Sequence, residues 1–596
     1  MHRIIKYVKP HIPFFIIAIA VLFLQAFCDL SLPNIMAQLV NMILRTIGNG
    51  PDLEAGSTGA LMAGSGISPL GLRMLLVTLT GGGAAIGVSF MFNRIAAGIA
   101  RDLRHAVFEK VESFSSKEFD DFSTASLITR CTNDISNVQG IFSQGVRMIF
   151  YAPIMGIGGV FMAVRNASTM SWIIVTAVVV LLGMMGLLIS IVLPRFRLIQ
   201  QLLDKMNRIA RETLGGLMVI RAFSAQKYDQ DRFDDVNRDL AGNQLFVNRT
   251  MSLQMPMMQF IQNVAILIIM WFGAQRIAAY TMEVGDMMAF IQYTIQIIFS
   301  FMFISNIFIM LPRASVSAER IAAVLEKDVS IKDPAEPQTL GPAGGPRGCR
   351  IEFRDVSFHY QDAQEEALSR ISFSAEPDQT TAIIGATGSG KSSIVNLILR
   401  FYDVSQGSIT LNGIDIRHLS QRDLRSRIGY VPQKSILLSG PLSFNLRYGK
   451  IDAAEEEVWE GASIAQARDF IQAMEGGMEA FLAQAGANVS GGQKQRLSIA
   501  RALVRDPEVL IFDDSFSALD FATDARLREA LEDKKKSITK IIVAQRVGTI
   551  MQAEKIIVLD KGIIVGMGTH DDLMESCQEY REIAESQIEA QTQEAL

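Results

Sequence analysis

A glycine-rich run that ends in one lysine and two serines contains the residue types best suited to chemistry. It consists of Gly385, Ala386, Thr387, Gly388, Ser389, Gly390, Lys391, Ser392 and Ser393. The glycines let backbone N–H groups converge on phosphate oxygens. Lys391 reaches the terminal phosphates, and the Ser392 hydroxyl can bind Mg²⁺. An apolar strand at 381–384 precedes the run, and an apolar-periodic helix at 393–399 follows it. A chance glycine-rich turn is the alternative, but this strand–loop–helix order predicts a phosphate-binding loop.

Two adjacent carboxylates follow a second apolar strand. Residues 509–512 are all apolar, and Asp513 and Asp514 come directly after them. Sheets of α/β proteins place ligands at the carboxyl ends of their strands, so we expect both acids beside the phosphate-binding loop. Asp513 is the expected carboxylate on the Mg²⁺ side. The pair is a weak signal by itself and a strong signal together with the loop upstream.

A serine-glycine-glycine sequence opens another predicted helix. Ser490, Gly491, Gly492 and Gln493 precede a helical pattern at 494–504. Backbone N–H groups at such a start form a second anion-binding nest. Two phosphate-binding helix starts in one chain suggest a composite site, with one piece from each of two subunits. A flexible turn explains the same residues equally well.

Six apolar stretches in the first half of the chain are long enough to span a bilayer, which needs roughly 20 helical residues. They lie at 12–43, 71–98, 141–164, 170–194, 255–280 and 285–311. The segments 99–140 and 195–254 are rich in charge yet keep helical apolar spacing. This pattern predicts membrane helices that extend well beyond the bilayer into the cytoplasm.

Charged residues near the first two spans predict their orientation. The loop between these spans contains Asp52 and Glu54 but no Lys or Arg, whereas Arg3, Lys6 and Lys9 precede the first span. Lys and Arg favour the cytoplasmic side of a membrane. We therefore expect a cytoplasmic N-terminus and an extracytoplasmic first loop.

The second half has the composition of a separate soluble domain. Prolines and glycines alternate between 334 and 348, which is typical of a linker. Strand-like and helical runs alternate after it, as in an α/β fold. The sequence thus predicts a transmembrane domain at 1–325, a linker at 326–350 and a nucleotide-binding domain at 351–590.

Bulk composition agrees with this division and excludes other classes. Hydrophobic residues make up 49% of the 596 residues and only 20% are charged, so much of the chain is expected in lipid. The net charge is −5 without a broad basic face, which disfavours nucleic acid as a partner. The four cysteines form no CxxC pair and are expected to be reduced. They are Cys28, Cys131, Cys349 and Cys577.

Together these motifs resemble the ATP-binding cassette (ABC) transporters. The likeness is to an exporter half, with six helices of an α-helical membrane domain fused to an α/β P-loop ATPase domain. It covers nearly the whole chain and implies ATP and Mg²⁺ as ligands. Tyr360 resembles the aromatic residue that stacks on adenine, and Gln433 resembles the glutamine that senses Mg²⁺ and faces the membrane domain. Ser517 and Asp520 resemble residues of a loop that crosses the dimer interface.

Two segments of the first half resemble the family's cytoplasmic loops. Phe119 and Asp120, with 126–130, resemble part of the first loop, and the stretch 212–223 resembles the second. The resemblance implies a short coupling helix in each loop that docks onto the ATPase domains.

Two departures from the family pattern fall at the catalytic end of the site. Asp514 stands where the family usually has Glu, and Gln545 stands where it usually has His. In the family that Glu positions the attacking water, and phosphoryl transfer depends mostly on positioning and charge. A shift of about 1 Å in a catalytic group costs on the order of a hundredfold, and a glutamine amide cannot become cationic. We expect Asp514, Gln545 and Gln433 to form a degenerate site that binds ATP but hydrolyses it slowly.

This pattern resembles the degenerate-site subunit of a heterodimeric exporter, in which residues 490–493 complete the partner's competent site. Neutral drift in a working homodimer is the alternative. Gln484 also stands where exporters commonly have Glu, which puts its contact with the opposite coupling loop in doubt.

The resemblance implies export of drugs, lipids or peptides across the cytoplasmic membrane, with the ATPase domain in the cytoplasm. We expect an amphipathic small molecule as substrate, membrane lipid as surroundings and a second half-transporter as partner. An ATP-gated or regulatory membrane subunit, or a homodimeric lipid or peptide exporter, is the alternative.

Polar residues within the spans are candidates for substrate contact. Asp29 in the first span is a functional candidate, unless it lies near the outer interface. Gln292, Gln296 and Ser300 lie four apart on the sixth span and could line a cavity. Methionines cluster at 255–258 and 282–288, which suits either a re-packing surface or ordinary packing.

Overall fold

The computed structural model describes residues 5–48, 67–166, 168–341, 348–360, 363, 365–534 and 537–594. The chain divides into two compact units. The first comprises Met1–Glu112 and Ala125–Glu326, and the second comprises Ser113–Thr124 and Lys327–Leu596. The short segment Ser113–Thr124 therefore groups with the second unit, a feature absent from the sequence-based division. The predicted loop with Asp52 and Glu54, and residues 342–347 of the predicted linker, lie outside the described residues.

Every secondary-structure element among the described residues before 326 is a helix. The α-helices are α1 Ile5–Val8, α2 Ile12–Gly48, α3 Ile67–Glu112, α4 Ser116–Asp121, α5 Thr124–Thr129, α6 Ile135–Gly140, α7 Val146–Asn166, α8 Ser171–Gly215, α9 Leu217–Ala222, α10 Gln226–Ser252, α11 Gln254–Ala278 and α12 Val284–Leu325. Of these, α4 belongs to the second unit. Two π-helical stretches, Arg130–Asp134 and Ile141–Gly145, join α5, α6 and α7 into one continuous run.

Six helical segments of the described chain are long and apolar enough to cross a membrane, which confirms the six predicted spans. Helix α3 has 46 residues and α8 has 45. At 1.5 Å per residue, α3 is about 69 Å long, whereas the hydrocarbon core of a bilayer is about 30 Å thick. The predicted extension of these helices beyond the bilayer is therefore confirmed.

Small residues on α7 allow it to pack closely against α2 and α12. A Cβ on Gly159 would lie 2.9 Å from Ile297 Cγ1, and one on Gly158 would meet Leu30 at still shorter range. Tyr293 is fully buried, and its hydroxyl donates to the backbone carbonyl of Leu30 at 3.0 Å. Close approach through small residues is the usual way that membrane helices pack. These contacts fix the middle of α2 against α7 and α12.

The second unit combines strands and helices after the linker. Its strands are β1 Ile351–Phe358, β2 Leu368–Ala375, β3 Thr380–Gly385, β4 Gln406–Leu411, β5 Ile414–Asp415, β6 Ile428–Val431, β7 Gly440–Pro441, β8 Phe481–Leu482, β9 Val509–Asp513, β10 Thr539–Val543, β11 Lys555–Asp560 and β12 Ile563–Gly568. Its further α-helices are α13 Lys391–Ile398, α14 Gln421–Ser426, α15 Leu442–Arg447, α16 Glu455–Ile464, α17 Arg468–Ala473, α18 Gly491–Val504, α19 Phe521–Lys534, α20 His570–Ser576 and α21 Gln578–Glu594.

A six-stranded sheet in the order β12-β11-β3-β10-β9-β6 forms the centre of this unit. β3 pairs in parallel with β10 and β11, and β9 pairs in parallel with β10 and β6. The carboxyl ends of β3, β10, β9 and β6 therefore meet at one edge of the sheet. Strands buried on both faces are continuous apolar runs in sequence, which is why β3 and β9 are readable from sequence. A second, antiparallel sheet has the order β2-β1-β4-β5, and the α/β fold class is confirmed.

Candidate functional site

The phosphate-binding loop connects β3 to α13 at that edge of the sheet. Gly390 precedes the helix with φ +101°, a left-handed conformation that glycine adopts without strain. A Cβ at this position would also lie 2.6 Å from Leu368 Cδ2. The N–H groups in the first turn of α13 lack intrahelical acceptors. The loop and the helix start can therefore bind an anion.

Lys391 is buried within this loop and keeps a donor for a ligand. Its Nζ donates to the backbone carbonyls of Gly385 and Ala386, both at 2.8 Å. An ammonium group has three N–H donors, so one remains. Burial lowers the pKa of Lys391, and the carboxylates of Asp514 and Asp513 oppose that change. Ser389 Oγ is also buried, with no hydrogen-bond partner among the described residues, so the loop fits an anionic ligand.

Asp513, the last residue of β9, faces the serine that follows Lys391. Its Oδ1 accepts a long hydrogen bond of 3.5 Å from Ser392 Oγ. Burial raises the pKa of Asp513, and the nearby charge of Asp514 raises it further. Hydroxyl and carboxylate oxygens suit a hard cation such as Mg²⁺, which takes its remaining ligands from phosphate and water. Ser392 and Asp513 therefore fit Mg²⁺ beside a bound triphosphate.

Asp514 follows β9 with φ +48°, which is uncommon for a residue other than glycine. Its Oδ2 accepts two hydrogen bonds, from Gln433 Nε2 at 3.1 Å and from Gln545 Nε2 at 2.9 Å. Gln433 follows β6 and Gln545 follows β10, so the strands on both sides of β9 supply the amides. Burial raises the pKa of Asp514, and the hydrogen bond from Gln433 opposes that rise. The fold thus places all three predicted catalytic residues around one carboxylate oxygen.

Aromatic residues surround the predicted adenine-binding tyrosine. The hydroxyl of Tyr360 lies 3.0 Å from Ser393 Oγ, and its ring packs edge-to-face against Phe358 and Tyr402. The hydroxyl of Tyr402 donates to Asp120 Oδ2 on α4 at 3.0 Å. Tyr360, Phe358, Tyr402 and Asp120 are among the residues that line a cavity of about 620 Å³. Sequence reasoning missed Tyr402, because it shares no motif with Tyr360 and its partner is 282 residues away.

The serine-glycine-glycine sequence caps a helix. Ser490 Oγ accepts from the backbone N–H of Gln493 at 3.3 Å, and Gln493 Oε1 accepts from the backbone N–H of Ser490 at 2.9 Å. This capping box completes the first turn, so α18 begins at Gly491 instead of the predicted 494. Gly491 is exposed and Gly492 is half-buried. No hydrogen bond among the described residues joins this helix start to the phosphate-binding loop.

The two residues predicted at a dimer interface are exposed between β9 and α19. Ser517 Oγ donates to the backbone carbonyl of Asp514 at 2.9 Å. Asp520 accepts from the backbone N–H and the hydroxyl of Thr523, and these bonds lower the pKa of Asp520. Both side chains therefore shape the loop that leaves the catalytic end of the site.

A second polar cluster lies within the first unit, called the membrane unit below because it contains the six apolar helical segments. Asp29 Oδ2 accepts from the Tyr151 hydroxyl at 2.7 Å and from Gln25 Nε2 at 3.4 Å. Gln296 Nε2 donates to the backbone carbonyl of Asp29 at 3.2 Å. The amide oxygens of Gln25 and Gln296 are buried without a partner in the described part of the chain. Buried polar groups at membrane depth are costly and mark functional candidates.

The sequence identifies this cluster only in part. Asp29 and Gln296 belong to it, whereas Gln292 is exposed and Ser300 is buried, donating to the backbone carbonyl of Ile297 at 2.7 Å. Tyr151 was missed, since only the packing of α7 against α2 brings its hydroxyl to Asp29.

Comparison with known proteins covers both parts of the chain. Residues 15–301 match the family model described as ABC transporter transmembrane region, and residues 368–517 match the model described as ABC transporter. An uncharacterised ABC transporter ATP-binding protein of Mycobacterium tuberculosis is 38% identical, covering 94% of this chain and 93% of that protein. An ATP-dependent lipid A-core flippase of Hahella chejuensis is 31% identical, covering 84% of each chain.

A solved structure shares the whole architecture. The structure of a bacterial Atm1-family ABC exporter with ATP bound has a TM-score of 0.76, covering 96% of this chain and 97% of that chain at 23% identity. The match confirms the predicted fold, in which six long apolar helices are fused to an α/β ATPase domain.

Proposed function

Because the chain belongs to the ABC transporter family, as an exporter half with fused membrane and ATPase domains, we propose that it is the degenerate-site half of a heterodimer. ABC exporters are driven by ATP and function as dimers. In this proposal the chain binds Mg²⁺ and ATP, hydrolyses ATP slowly, and supplies residues 490–493 to a competent site on its partner. The observation that carries the proposal is Asp514, whose Oδ2 accepts from two neutral amides, Gln433 and Gln545.

The short side chain of Asp514 and the neutral amide of Gln545 predict slow hydrolysis. Attack on a γ-phosphate requires a positioned water and stabilisation of the developing charge. Asp514 is one methylene shorter than Glu, and a shift of about 1 Å costs on the order of a hundredfold. Gln545 can donate a hydrogen bond, but its amide cannot carry a positive charge as His can. The attack is therefore slowed on both counts.

The groups that hold the nucleotide keep the types that binding requires. Lys391 supplies a buried cation, and the start of α13 supplies N–H donors. Mg²⁺, when held by Ser392 and Asp513, would neutralise charge on the phosphates. Binding is therefore retained where hydrolysis is impaired.

Exposed apolar side chains in each unit support pairing with a second half. In the first unit, Met218 of α9 is 78% exposed and Phe223, directly after that helix, is 81% exposed. In the second unit, Ile451 is 87% exposed and Phe481 is 64% exposed. Exposed apolar side chains that cluster mark interaction sites, and Leu214 and Val219, near Met218 in the chain, are also exposed. A second half-transporter that covers both surfaces would remove this apolar area from water.

Features of the membrane unit support an amphipathic substrate. A cavity of about 650 Å³ is lined mainly by Leu, Ile, Val, Met and Phe side chains, with Gln254 and Arg313 as polar members. An apolar lining with a few polar groups is typical of small-molecule sites. The Asp29 cluster adds a second polar contact point. The substrate would cross the cytoplasmic membrane, with the N-terminus and the ATPase domain in the cytoplasm.

A homodimeric lipid exporter is the second candidate. It is favoured by the 31% identity to a protein named as a lipid A-core flippase. The two candidates differ at the ATP site, since a homodimer has no competent partner site to compensate for Asp514 and Gln545.

Reconstitution with a defined partner tests the proposal. The chain should be mixed with a half-transporter that has Glu and His at the two corresponding positions, and assayed for ATP turnover and for ATP-dependent dye accumulation in inside-out vesicles. We expect the mixture, and not this chain alone, to do both.

Two variants of this chain assign the competent site in the mixture. Gly491→Asp should abolish turnover because it blocks the helix start offered to the partner's site, whereas Lys391→Met should reduce turnover only slightly. The reverse result would place the competent site on this chain and reject the proposal.

A further inference from the structure

The C-terminal helix α21 reaches the loop that follows β10. The side-chain amide of Gln587 makes two hydrogen bonds there. Its Nε2 donates to the backbone carbonyl of Gln545 at 2.7 Å, and its Oε1 accepts from the backbone N–H of Val547 at 2.8 Å. One side chain therefore holds both polar backbone groups that flank Arg546.

These two backbone groups need a partner because the sheet no longer provides one. β10 ends at Val543, and a short 3₁₀ turn starts at Val547. A planar amide offers one donor and one acceptor in a fixed arrangement, which matches a carbonyl and an N–H group two residues apart.

The helix that carries Gln587 is firmly anchored. Tyr580 and Ala584 are buried at 0% and 1% exposure, and the Tyr580 hydroxyl lies 2.7 Å from His570 Nδ1. Residues seven and three positions before Gln587 lie on the same face of an α-helix. The face that packs into the ATPase core thus also presents Gln587 to the loop.

The loop that Gln587 contacts contains Gln545, one of the predicted catalytic residues. Gln545 is held at its carbonyl by Gln587, while its own side chain donates to Asp514 Oδ2 at 2.9 Å. A movement of the loop would therefore carry the Gln545 amide away from the carboxylate that it contacts. The two bonds form a continuous path from α21 to Asp514.

We propose that Gln587 is a positioning residue, through which the C-terminal helix fixes Gln545 and sets the preference of this site for nucleotides that carry a γ-phosphate. The inference rests on the proposed role of Gln545 beside the γ-phosphate. Gln587 itself touches no nucleotide and acts through the backbone of the loop.

Nucleotide affinity of the full chain in lipid nanodiscs tests the inference. The ratio of affinities for a non-hydrolysable ATP analogue and for ADP is measured for the native protein, Gln587→Leu and Gln587→Glu. We expect Gln587→Leu to lower the ratio about three- to tenfold. Gln587→Glu, which keeps the acceptor for Val547 but loses the donor to Gln545, should give an intermediate value.

A control variant, a hydrogen-exchange measurement and a double variant separate positioning from simple loss of structure. Gln578→Leu is the matched control, because Gln578 lies on the same helix and donates to Glu582 instead of the loop. The control should leave the ratio unchanged, and Gln587→Leu should speed hydrogen exchange of the Val547 amide. In a Gln545→Ala background, Gln587→Leu should no longer change the ratio.

Faster exchange with an unchanged ratio would overturn the inference and leave Gln587 a structural contact. Because the analogue is not hydrolysed, this result is independent of turnover. Rapid ATP hydrolysis by the chain alone would reject the proposed function without altering the Gln587 measurement.

Discussion

The phosphate-binding side and the catalytic side of the nucleotide site occupy one edge of one sheet, yet they differ in charge. The first contains the Lys391 ammonium and the Asp513 carboxylate, which accepts from Ser392 in the first turn of α13. The second contains one carboxylate, Asp514, held by two neutral amides. Under the proposed function, nucleotide affinity and hydrolysis depend on separate groups, so a chain can lose one and keep the other.

The two sides also differ in what completes them. Lys391 and Ser389 have a donor and a hydroxyl that a ligand can satisfy. Asp514 Oδ2 already has both of its amide partners within the chain. Ligand binding therefore adds bonds on the first side, whereas on the second side Asp514 and the two amides are already bonded to one another.

Restoring the residues that the family usually has at the catalytic side should have the largest effect, which is on ATP turnover. The double change Asp514→Glu and Gln545→His should raise ATP turnover at this site on the order of a hundredfold, because it returns reach and a group that can become cationic. Turnover is measured on the purified chain in nanodiscs. The single change Asp514→Glu is the control and should give a smaller rise. An unchanged rate for the double variant would mean that another step limits turnover.

Removing the buried Lys391 ammonium should have the next largest effect. This effect should be on ATP binding and not on turnover. Lys391→Met should weaken ATP binding about thirtyfold, since hydrogen bonds to charged groups contribute about 1.5–3 kcal/mol. Gln545→Ala should weaken ATP binding less, by about three- to tenfold, because it removes only a neutral donor. Equilibrium binding of a fluorescent ATP analogue measures both. Equal losses in the two variants would contradict the separation of the two sides.

The base-binding end should show a smaller effect on affinity. Tyr360→Ala should weaken ATP binding about tenfold, because stacking of a base on an aromatic ring contributes about 1–3 kcal/mol. Tyr360→Phe keeps the ring and loses the hydroxyl near Ser393, so it should stay within about twofold. If Tyr360→Phe were as weak as Tyr360→Ala, the hydroxyl and not the ring would be the important group.

Local sequence could reveal the phosphate-binding side because its parts are contiguous. The loop at 385–393 contains its own glycines, cation and hydroxyls, and the buried strands β3 and β9 are apolar runs. Gln433, which follows β6, and Gln545, which follows β10, were identified only through a family resemblance. Their hydrogen bonds to Asp514 follow from the strand order, which no local pattern encodes.

Contacts between distant segments could not be predicted. Tyr402 binds Asp120 across 282 residues, and Gln587 binds the Gln545 carbonyl across 42. Neither Tyr402 nor Gln587 has a distinctive neighbourhood in the sequence. The segment Ser113–Thr124 is similar, because its place between two apolar spans assigns it to the membrane half and only packing assigns it to the second unit. In the membrane unit, Tyr151 became visible only through the packing of α7 against α2.

ATP turnover by the purified chain, reconstituted without any other subunit in nanodiscs, is the most direct test of a weak catalytic face in this half. We expect the chain to bind one Mg²⁺-dependent ATP per molecule and to hydrolyse it on the order of a hundredfold more slowly than a mixture with a competent half. Rapid hydrolysis by a dimer of this chain alone would show that Asp514 and Gln545 suffice for catalysis and would contradict the proposal.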